Sequence, residues 1–339
     1  MGQKEIILAI ETSCDETAVA ILADGRDLLA NIVSSQISIH QKYGGVVPEL
    51  ASRHHLEQVN RLIVLALEEA GLDFSSLRAI AVTYGPGLVG ALLIGVSTAK
   101  ALAYSLNLPL VGVNHLEGHI YANWLVHRHI EFPLLCLIVS GGHTALVQMN
   151  GHGRYELLGQ TQDDAVGEAY DKVARAMGLG YPGGPLIDRL AKKGDEKAIH
   201  FPRAWLGENS YNFSFSGLKT AVLNYLNHAR LKGEEINDAD LAAGFQDSIM
   251  EVLVEKTMRA ARSRGLKTIM LAGGVAANSL LRERLQTRCD QEQRTLYYPP
   301  LDFCTDNGAM IACSGYYHFI QGHLSSWYLN AIPNLRLFS

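Results

Sequence analysis

The chain has 339 residues, which at about 150 residues per domain suggests two domains with ample core. With 48% hydrophobic, 19% charged and 32 glycine residues, the composition is globular and loop-rich, excluding a disordered, collagenous or coiled-coil chain. A net charge of −5 excludes a generally basic nucleic-acid coat, though neither a local basic patch nor a nucleic acid delivered with partners. The five cysteines (Cys14, Cys136, Cys289, Cys304 and Cys313) are widely spaced and include no C-x-x-C. They read as reduced thiols of a cytoplasmic protein. The first apolar run stops at Glu11, too short for a signal peptide, and no membrane association is expected.

In chain order, Ile6 to Ile10 and Ala18 to Leu22 are short apolar runs around the polar turn Glu11-Thr12-Ser13-Cys14-Asp15-Glu16-Thr17, a β-hairpin pattern. Leu56 to Ala70 has helical spacing and stops at Gly71, a C-cap. The uncharged stretch Ala79 to Ala99 reaches membrane-spanning length, but Gly85-Pro86-Gly87 breaks it into a buried strand, a turn and a buried helix from about Val89 to Ser105. Leu110 to Val113 is a strand leading into a helix that starts near His115. Leu134 to Val139 and Ala145 to Met149 repeat the hairpin plan around Ser140-Gly141-Gly142-His143-Thr144, about 130 residues after the first hairpin. Helices are predicted over Asp164 to Met177, over Leu241 to Arg262 with Asp240 as N-cap, and after the strand Thr268 to Ala272 through Leu285. Two related halves follow, 1–131 and 132–339, joined near Glu131-Phe132-Pro133, with the last helix able to pack back on the first half.

The chemistry concentrates in three places. His115-Leu116-Glu117-Gly118-His119 puts two imidazoles at i and i+4, on one helix face with Cβ atoms about 6 Å apart, able to chelate one metal. Glu117 lies at i+2 and points away, so the H-E-x-x-H arrangement of a metalloprotease lacks its base. A third ligand is wanted, and Asp306 in Cys304-Thr305-Asp306-Asn307-Gly308 supplies a carboxylate. It also reads as the N-cap of a buried helix, Gly308 to Tyr317. Two histidines and one carboxylate suit Fe(II) or catalytic Zn(II). Second, Ser140-Gly141-Gly142, Gly183-Gly184 and Gly273-Gly274 are turns whose backbone N–H groups can cradle phosphate. Third, Asp15 and Glu16 are carboxylates of the first turn, candidates for a base or for orienting a substrate group, or simply turn residues. Ser216-x-x-Lys219 matches a penicillin-binding motif but lacks its companions. His54, His55, His127 and His129 read as surface residues.

The glycine turns and the acidic first turn resemble the actin/hexokinase/Hsp70 superfold (ASKHA, ribonuclease H-like): α/β, two duplicated domains around an interdomain nucleotide cleft. Leu271 to Asn278 resembles its adenosine motif. Where phosphotransferases of that superfold carry loop aspartates, this chain has Glu11 and Ser140, and serine is a far weaker Mg²⁺ ligand than carboxylate.

Within the superfold the chain resembles the tRNA N6-adenosine threonylcarbamoyltransferase (TsaD/Gcp) family. The resemblance rests on Glu11 to Thr17, Gly45 to Arg53, Gly85 to Leu88, His115 to His119, Val139 to Thr144 and Gly167 to Lys172. It continues through Tyr181 to Pro185, Phe213 to Lys219, Gly273 to Asn278 and Cys304 to Gly308. It implies transfer of threonylcarbamoyl from threonylcarbamoyl-AMP to the exocyclic amine of the adenosine 3′ of the anticodon (position 37), in tRNAs reading codons that begin with A, with release of AMP. It places metal ligands at His115, His119 and Asp306, with Fe(2+) expected and Zn(2+) the alternative. It places adenylate contacts at Ile138, Val139, Ser140, Gly141, Gly142, Asp171, Gly184, Asp188 and Asn278. Without it, Asp171 would read as a solvated helix face. It implies two partners, a paralogous TsaB-like protein of the same fold and a small TsaE-like P-loop ATPase. The rival readings are a metalloprotease and a non-catalytic nucleotide-binding scaffold.

Overall fold

A computed structural model describes residues 4–207 and 209–337. Chain contacts divide it into two units, Met1–Ile130 together with Pro299–Ser339, and Glu131–Tyr298.

The first unit opens with three strands, β1 (Ile6–Glu11) and β2 (Glu16–Ala23), buried almost throughout, and β3 (Asp27–Ser35), which is exposed or half-buried along most of its length. A short helix α1 (Ile37–His40) leads to α2 (Pro48–Ala70), then β4 (Ala79–Gly85), α3 (Val89–Leu106), β5 (Leu110–Asn114) and α4 (His115–Tyr121). The sheet order is β3-β2-β1-β4-β5: an antiparallel meander continued by two parallel strands. β1 and β2 carry apolar residues on both faces because both are covered. On one face Leu8, Ile10, Val19, Ile21, Ile80 and Val82 meet Val59, Leu62, Ile63 and Ala66 of α2 and Val96, Ala99 and Ala103 of α3. α3 is long and apolar enough to cross a membrane by composition, yet here it is a core helix packed by that face. Gly95 lets it approach the first turn: a Cβ there would lie 2.4 Å from Thr12 Oγ1.

The second unit repeats the plan. β6 (Leu134–Val139), β7 (Thr144–Gly151) and β8 (Arg154–Gln160) form the meander, followed by α5 (Val166–Ala176), α6 (Gly183–Ala191), α7 (Ser216–Lys232) and α8 (Asp238–Ser263). Then come β9 (Thr268–Ala272), α9 (Ser279–Gln291) and β10 (Thr295–Tyr297), giving the order β8-β7-β6-β9-β10 with β9 and β10 parallel to β6. The two sheets have the same topology, as expected for a duplicated ASKHA fold.

The chain then returns to the first unit as α10 (Gly308–Ile320), which covers the sheet face that α2 and α3 leave open. A Cβ on Gly315 would stand 2.6 Å from Ala81 Cβ, so the helix rides directly on β4. The junction expected near Glu131 coincides with the boundary between units. The second unit, however, ends at Tyr298 rather than at the chain terminus. Asp306 therefore belongs to the same unit as His115 and His119, and the expectation that it lies in the second half is corrected. Two caps also differ. Asn307, not Asp306, caps α10, accepting from Met310 N at 2.9 Å. Asn237, not Asp240, caps α8, accepting from Ala239 N. In both places asparagine precedes the helix at the position whose side chain reaches the second or third free amide.

Candidate metal centre and adenylate site

α4 starts directly at the end of β5, where Asn114 Oδ1 accepts from Leu116 N and fixes the first turn. His115 and His119 then project from one face, ring centroids 4.7 Å apart. Both Nε2 atoms converge on Asp306 Oδ1, at 3.4 and 3.3 Å, and the three ligand atoms lie within 4.8 Å of one another. An ion bonded at about 2.0–2.1 Å to each ligand would hold them about 3 to 3.4 Å apart, so the donor set fits a metal. His115 Nδ1 lies 3.2 Å from Glu11 Oε2 and 3.1 Å from Ser13 Oγ. Because the carboxylate only accepts, Nδ1 carries a hydrogen, which makes Nε2, once a metal displaces its proton, the ligand atom, an arrangement common behind metal-bound histidine. His119 Nδ1 is buried without a hydrogen-bond partner among the described residues.

The electrostatics follow. Burial alone would raise Asp306, but the charge of His115 and the hydrogen bonds from both imidazoles outweigh it and hold the carboxyl well below its usual range. Burial alone would lower His115, but Asp306 and Glu11 outweigh it and raise the imidazole well above 6.5. Glu11 is also lowered: burial opposes ionisation, while His115 and the Ser13 hydrogen bond favour it.

In the second unit the glycine turns gather. The turn after β6 closes on itself, with Ser140 N donating to His143 O at 2.8 Å and His143 N to Ser140 Oγ at 3.2 Å. Gly273 has φ +91°, and a Cβ there would lie 2.5 Å from Val139 O, so the turn after β9 lies against the turn after β6. Gly167, at the start of α5, packs on Gly141 in the same way. Cβ atoms on Gly141, Gly142, Gly184 and Gly274 would meet nothing within 4 Å, leaving their backbone open to a ligand.

Residues 27–313 match the sequence profile of tRNA N6-adenosine threonylcarbamoyltransferase. The chain is 57% identical over 332 residues to the protein of that name from Clostridioides difficile (strain 630), spanning 98% of each, and 58% identical over 338 residues to that from Desulfitobacterium hafniense (strain Y51), spanning 99% of each. The chain belongs to the tRNA N6-adenosine threonylcarbamoyltransferase family. Among solved structures, HypF from T. kodakarensis is similar with a TM-score of 0.64 at 15% identity, over 96% of this chain and 49% of that one. The activator of 2-hydroxyisocaproyl-CoA dehydratase from Clostridium difficile is similar with a TM-score of 0.51 at 13% identity, over 95% and 98%. These two establish the fold.

As a threonylcarbamoyltransferase the chain performs acyl transfer to the N6 amine of an adenosine in tRNA. Nothing in the structure favours the protease or scaffold readings. Glu117 is buried and bonded to His318 at 2.6 Å, away from the imidazole pair where a peptidase would need its base.

Asp15 and Glu16 sit in the β1–β2 turn. Ser35 Oγ donates to Glu16 Oε1 at 3.0 Å. Burial first, then the charges of Asp306 and Asp15, push Glu16 up to about 9, so it retains its proton at neutrality and can donate. A cation that balances Asp306 removes part of that upward push, the direction in which Glu16 gains base character. The turn itself is clamped by His55. Nε2 donates to Cys14 O at 2.9 Å and Nδ1 accepts from Thr17 Oγ1 at 2.8 Å. His55 is fully buried, correcting its reading as a surface residue, whereas His129 is exposed.

For the adenylate set, Ile138 and Val139 are fully buried strand residues that can offer a ligand only backbone. Asp171 accepts from Gly183 N at 2.7 Å, so it steadies the Gly183-Gly184 turn rather than lying on a solvated face. Asp188 and Asn278 join one network. Ser279 Oγ donates to Asp188 at 3.0 Å and Gln246 Nε2 to Asp188 Oδ1 at 3.2 Å, while Gln246 Oε1 accepts from Asn278 Nδ2 at 2.9 Å and Tyr170 OH at 3.2 Å. Gln246 carried no sequence signal, since it sits inside α8 with no motif around it, whereas Tyr170 lies within the Gly167 to Lys172 segment and Ser279 directly follows Asn278, neither of them a predicted contact.

Proposed function

We propose that the threonylcarbamoyl donor is threonylcarbamoyl-AMP and that the acceptor is the adenosine 3′ of the anticodon, position 37, in tRNAs reading codons that begin with A. The observation that carries the reading is the convergence of His115 Nε2 and His119 Nε2 on Asp306. These three would hold one divalent ion, Fe(II) with Zn(II) as the alternative. Bound there, the ion supplies Lewis acidity toward the carbamoyl carbonyl and a template for the threonyl group. The amine nitrogen bonds the carbamoyl carbon, the bond from that carbon to the adenylate phosphate oxygen breaks, and AMP leaves with its electron pair while the amine gives up a proton. Glu11 holds His115 in the tautomer with Nε2 free. Asp15 and Glu16 orient the amine and take its proton. The backbone of 138–142 and Gly184 would receive the adenylate, with Asp171, Asp188 and Asn278 fixing its position.

The same residues argue against γ-phosphate cleavage. Glu11 is occupied by Ser13 N at 2.5 Å, Thr83 Oγ1 and His115, and Ser140 closes its own turn. An isolated chain that binds adenylates but turns over ATP poorly is the expectation. We further propose work in the cytoplasm with a TsaB-like paralogue and a TsaE-like ATPase. The test is transfer in vitro from threonylcarbamoyl-AMP to unmodified tRNA with purified partners, read by nucleoside mass spectrometry and paired with metal analysis. Expected is stoichiometric metal in the native chain, and loss of both metal and product in a His115→Ala, His119→Ala variant. Full metal in that variant, or robust ATP turnover by the chain alone, would sink the reading.

A further inference from the structure

His115 and His119 account for the ends of the His-Leu-Glu-Gly-His segment, but not for Glu117 and Gly118 between them. Both face α10. Gly118 meets its first turn: a Cβ there would lie 2.6 Å from Ile311 Cδ1 and 3.3 Å from Met310 Cγ. Glu117 reaches its last turn, where Oε2 accepts from His318 Nε2 at 2.6 Å. This carboxylate is almost wholly buried and His318 mostly so. The two contacts are seven residues apart on α10, two turns or about 10 Å along its axis. Contacts so separated fix both the distance and the tilt of α10 against α4. Asp306 stands two residues before α10 begins.

We propose that Glu117, Gly118 and His318 are positioning residues for the metal centre, docking α10 on α4 so that Asp306 is held at its distance from the two imidazoles. The assignment rests on the metal-centre reading above. It explains why the outer residues of one helical segment turn to the ion and the inner ones to a partner helix. A carboxylate on a neighbouring helix face could instead serve general stability, and that role would leave the ligand geometry unchanged.

The experiment uses the full chain with Co(II) as the sole added metal. Affinity is read by chelator competition, coordination by the visible spectrum, and stability by thermal melting. His318→Leu is expected to weaken Co(II) binding by about tenfold or more, the range seen when outer-shell partners are removed, and to shift the spectrum. His318→Gln keeps an N–H donor for Glu117 and is expected to stay close to the native affinity. Should His318→Leu not fold, Glu117→Leu/His318→Leu removes the unpaired buried carboxylate as well. That pair is expected to recover the melting temperature without recovering the affinity. Native Co(II) affinity and spectrum in His318→Leu, or in the double variant, would overturn the assignment whatever the melting temperature. Failure of the unsubstituted chain to take up Co(II) would overturn the metal-centre reading itself, and this assignment with it.

Discussion

Gly308 is the first residue of α10, and its substitution by alanine tests how rigidly the fold sets Asp306. A Cβ there would lie 2.6 Å from Ala20 N, 2.7 Å from the Val19 carbonyl carbon and 2.9 Å from Ala20 Cβ. The atoms in the way are mainly backbone of β2, a central strand paired on both edges, so the strand cannot yield. A comfortable contact is about 3.5 Å, so the helix start must retreat by about 0.9 Å. Overpacking of this kind costs about 1–3 kcal/mol. The same retreat moves Asp306, two residues earlier, by several times the roughly 0.2 Å that a metal–ligand distance tolerates. Gly308→Ala is therefore expected to weaken Zn(II) or Co(II) binding about ten- to a hundredfold while lowering the melting temperature by a few degrees. Gly315→Ala is the control. It meets Ala81 Cβ at 2.6 Å but lies two turns further along, so it should cost similar stability with less metal loss. Chelator competition and thermal melting on both variants decide it. Native metal affinity in Gly308→Ala, or equal losses in the two, would refute the argument.

Three further outcomes follow from other buried groups. His55→Phe leaves the Cys14 carbonyl and Thr17 hydroxyl buried without partners, costing about 2 kcal/mol, and loosens the turn carrying Asp15 and Glu16; unchanged tRNA modification would refute the clamp. Burial lowers His55 below 6.5, so the unfolded chain binds that proton more readily, and native stability falls as pH drops below about 6.5. Melting curves across pH should show a smaller acid loss in His55→Phe. Lys256 is fully buried, donating to Asn212 O beside the Phe213 ring, and burial, then Arg259, lowers it to about 8. The unfolded chain therefore holds the extra proton between about 8 and 10.5, and native stability rises with pH through that window. Lys256→Met should remove the rise, and identical slopes for the two proteins would contradict it. Gln246→Leu breaks the Asp188–Gln246–Asn278 network and should weaken AMP binding about tenfold by calorimetry, with metal content unchanged.

What the sequence made legible was local. The β1–β2 and β6–β7 hairpins announced themselves as apolar runs around polar turns, and the i, i+4 spacing of His115 and His119 named its own helix face. β3 and β8 gave no such signal, because as strands outside the parallel core they mix exposed and buried residues without a clean alternation. α2 starts eight residues before its apolar spacing suggested, because Pro48 at its first turn opens a stretch whose buried positions are Ala51 and His55, a small and a polar residue that give no apolar period. Nor could periodicity say which sheet α10 covers. Ala309 to Gly315 are all buried, which tells of burial but not of the partner. That choice decides the chemistry, since it brings Asp306 to histidines 191 and 187 residues earlier.

The same long-range pairing explains the departures in the loops. A phosphotransferase of this fold needs a free carboxylate in its first turn to hold Mg²⁺. Here that turn offers Glu11, one methylene longer than aspartate, and its oxygens are taken by Ser13 N, Thr83 Oγ1 and His115 Nδ1, a residue 104 positions later. A carboxylate so engaged and fully buried has no oxygen left to meet a hydrated ion at a phosphate. The turn has been coupled to α4 instead of to a nucleotide, which accounts for glutamate at this position and for a hairpin that keeps the shape of a phosphate loop while its carboxylate serves the histidine pair. In the second unit Ser140 reaches the same end by a different route, its hydroxyl accepting from His143 N within the turn. The open glycines beside it retain the backbone donors that anion binding requires, without a side chain that could hold the metal for hydrolysis.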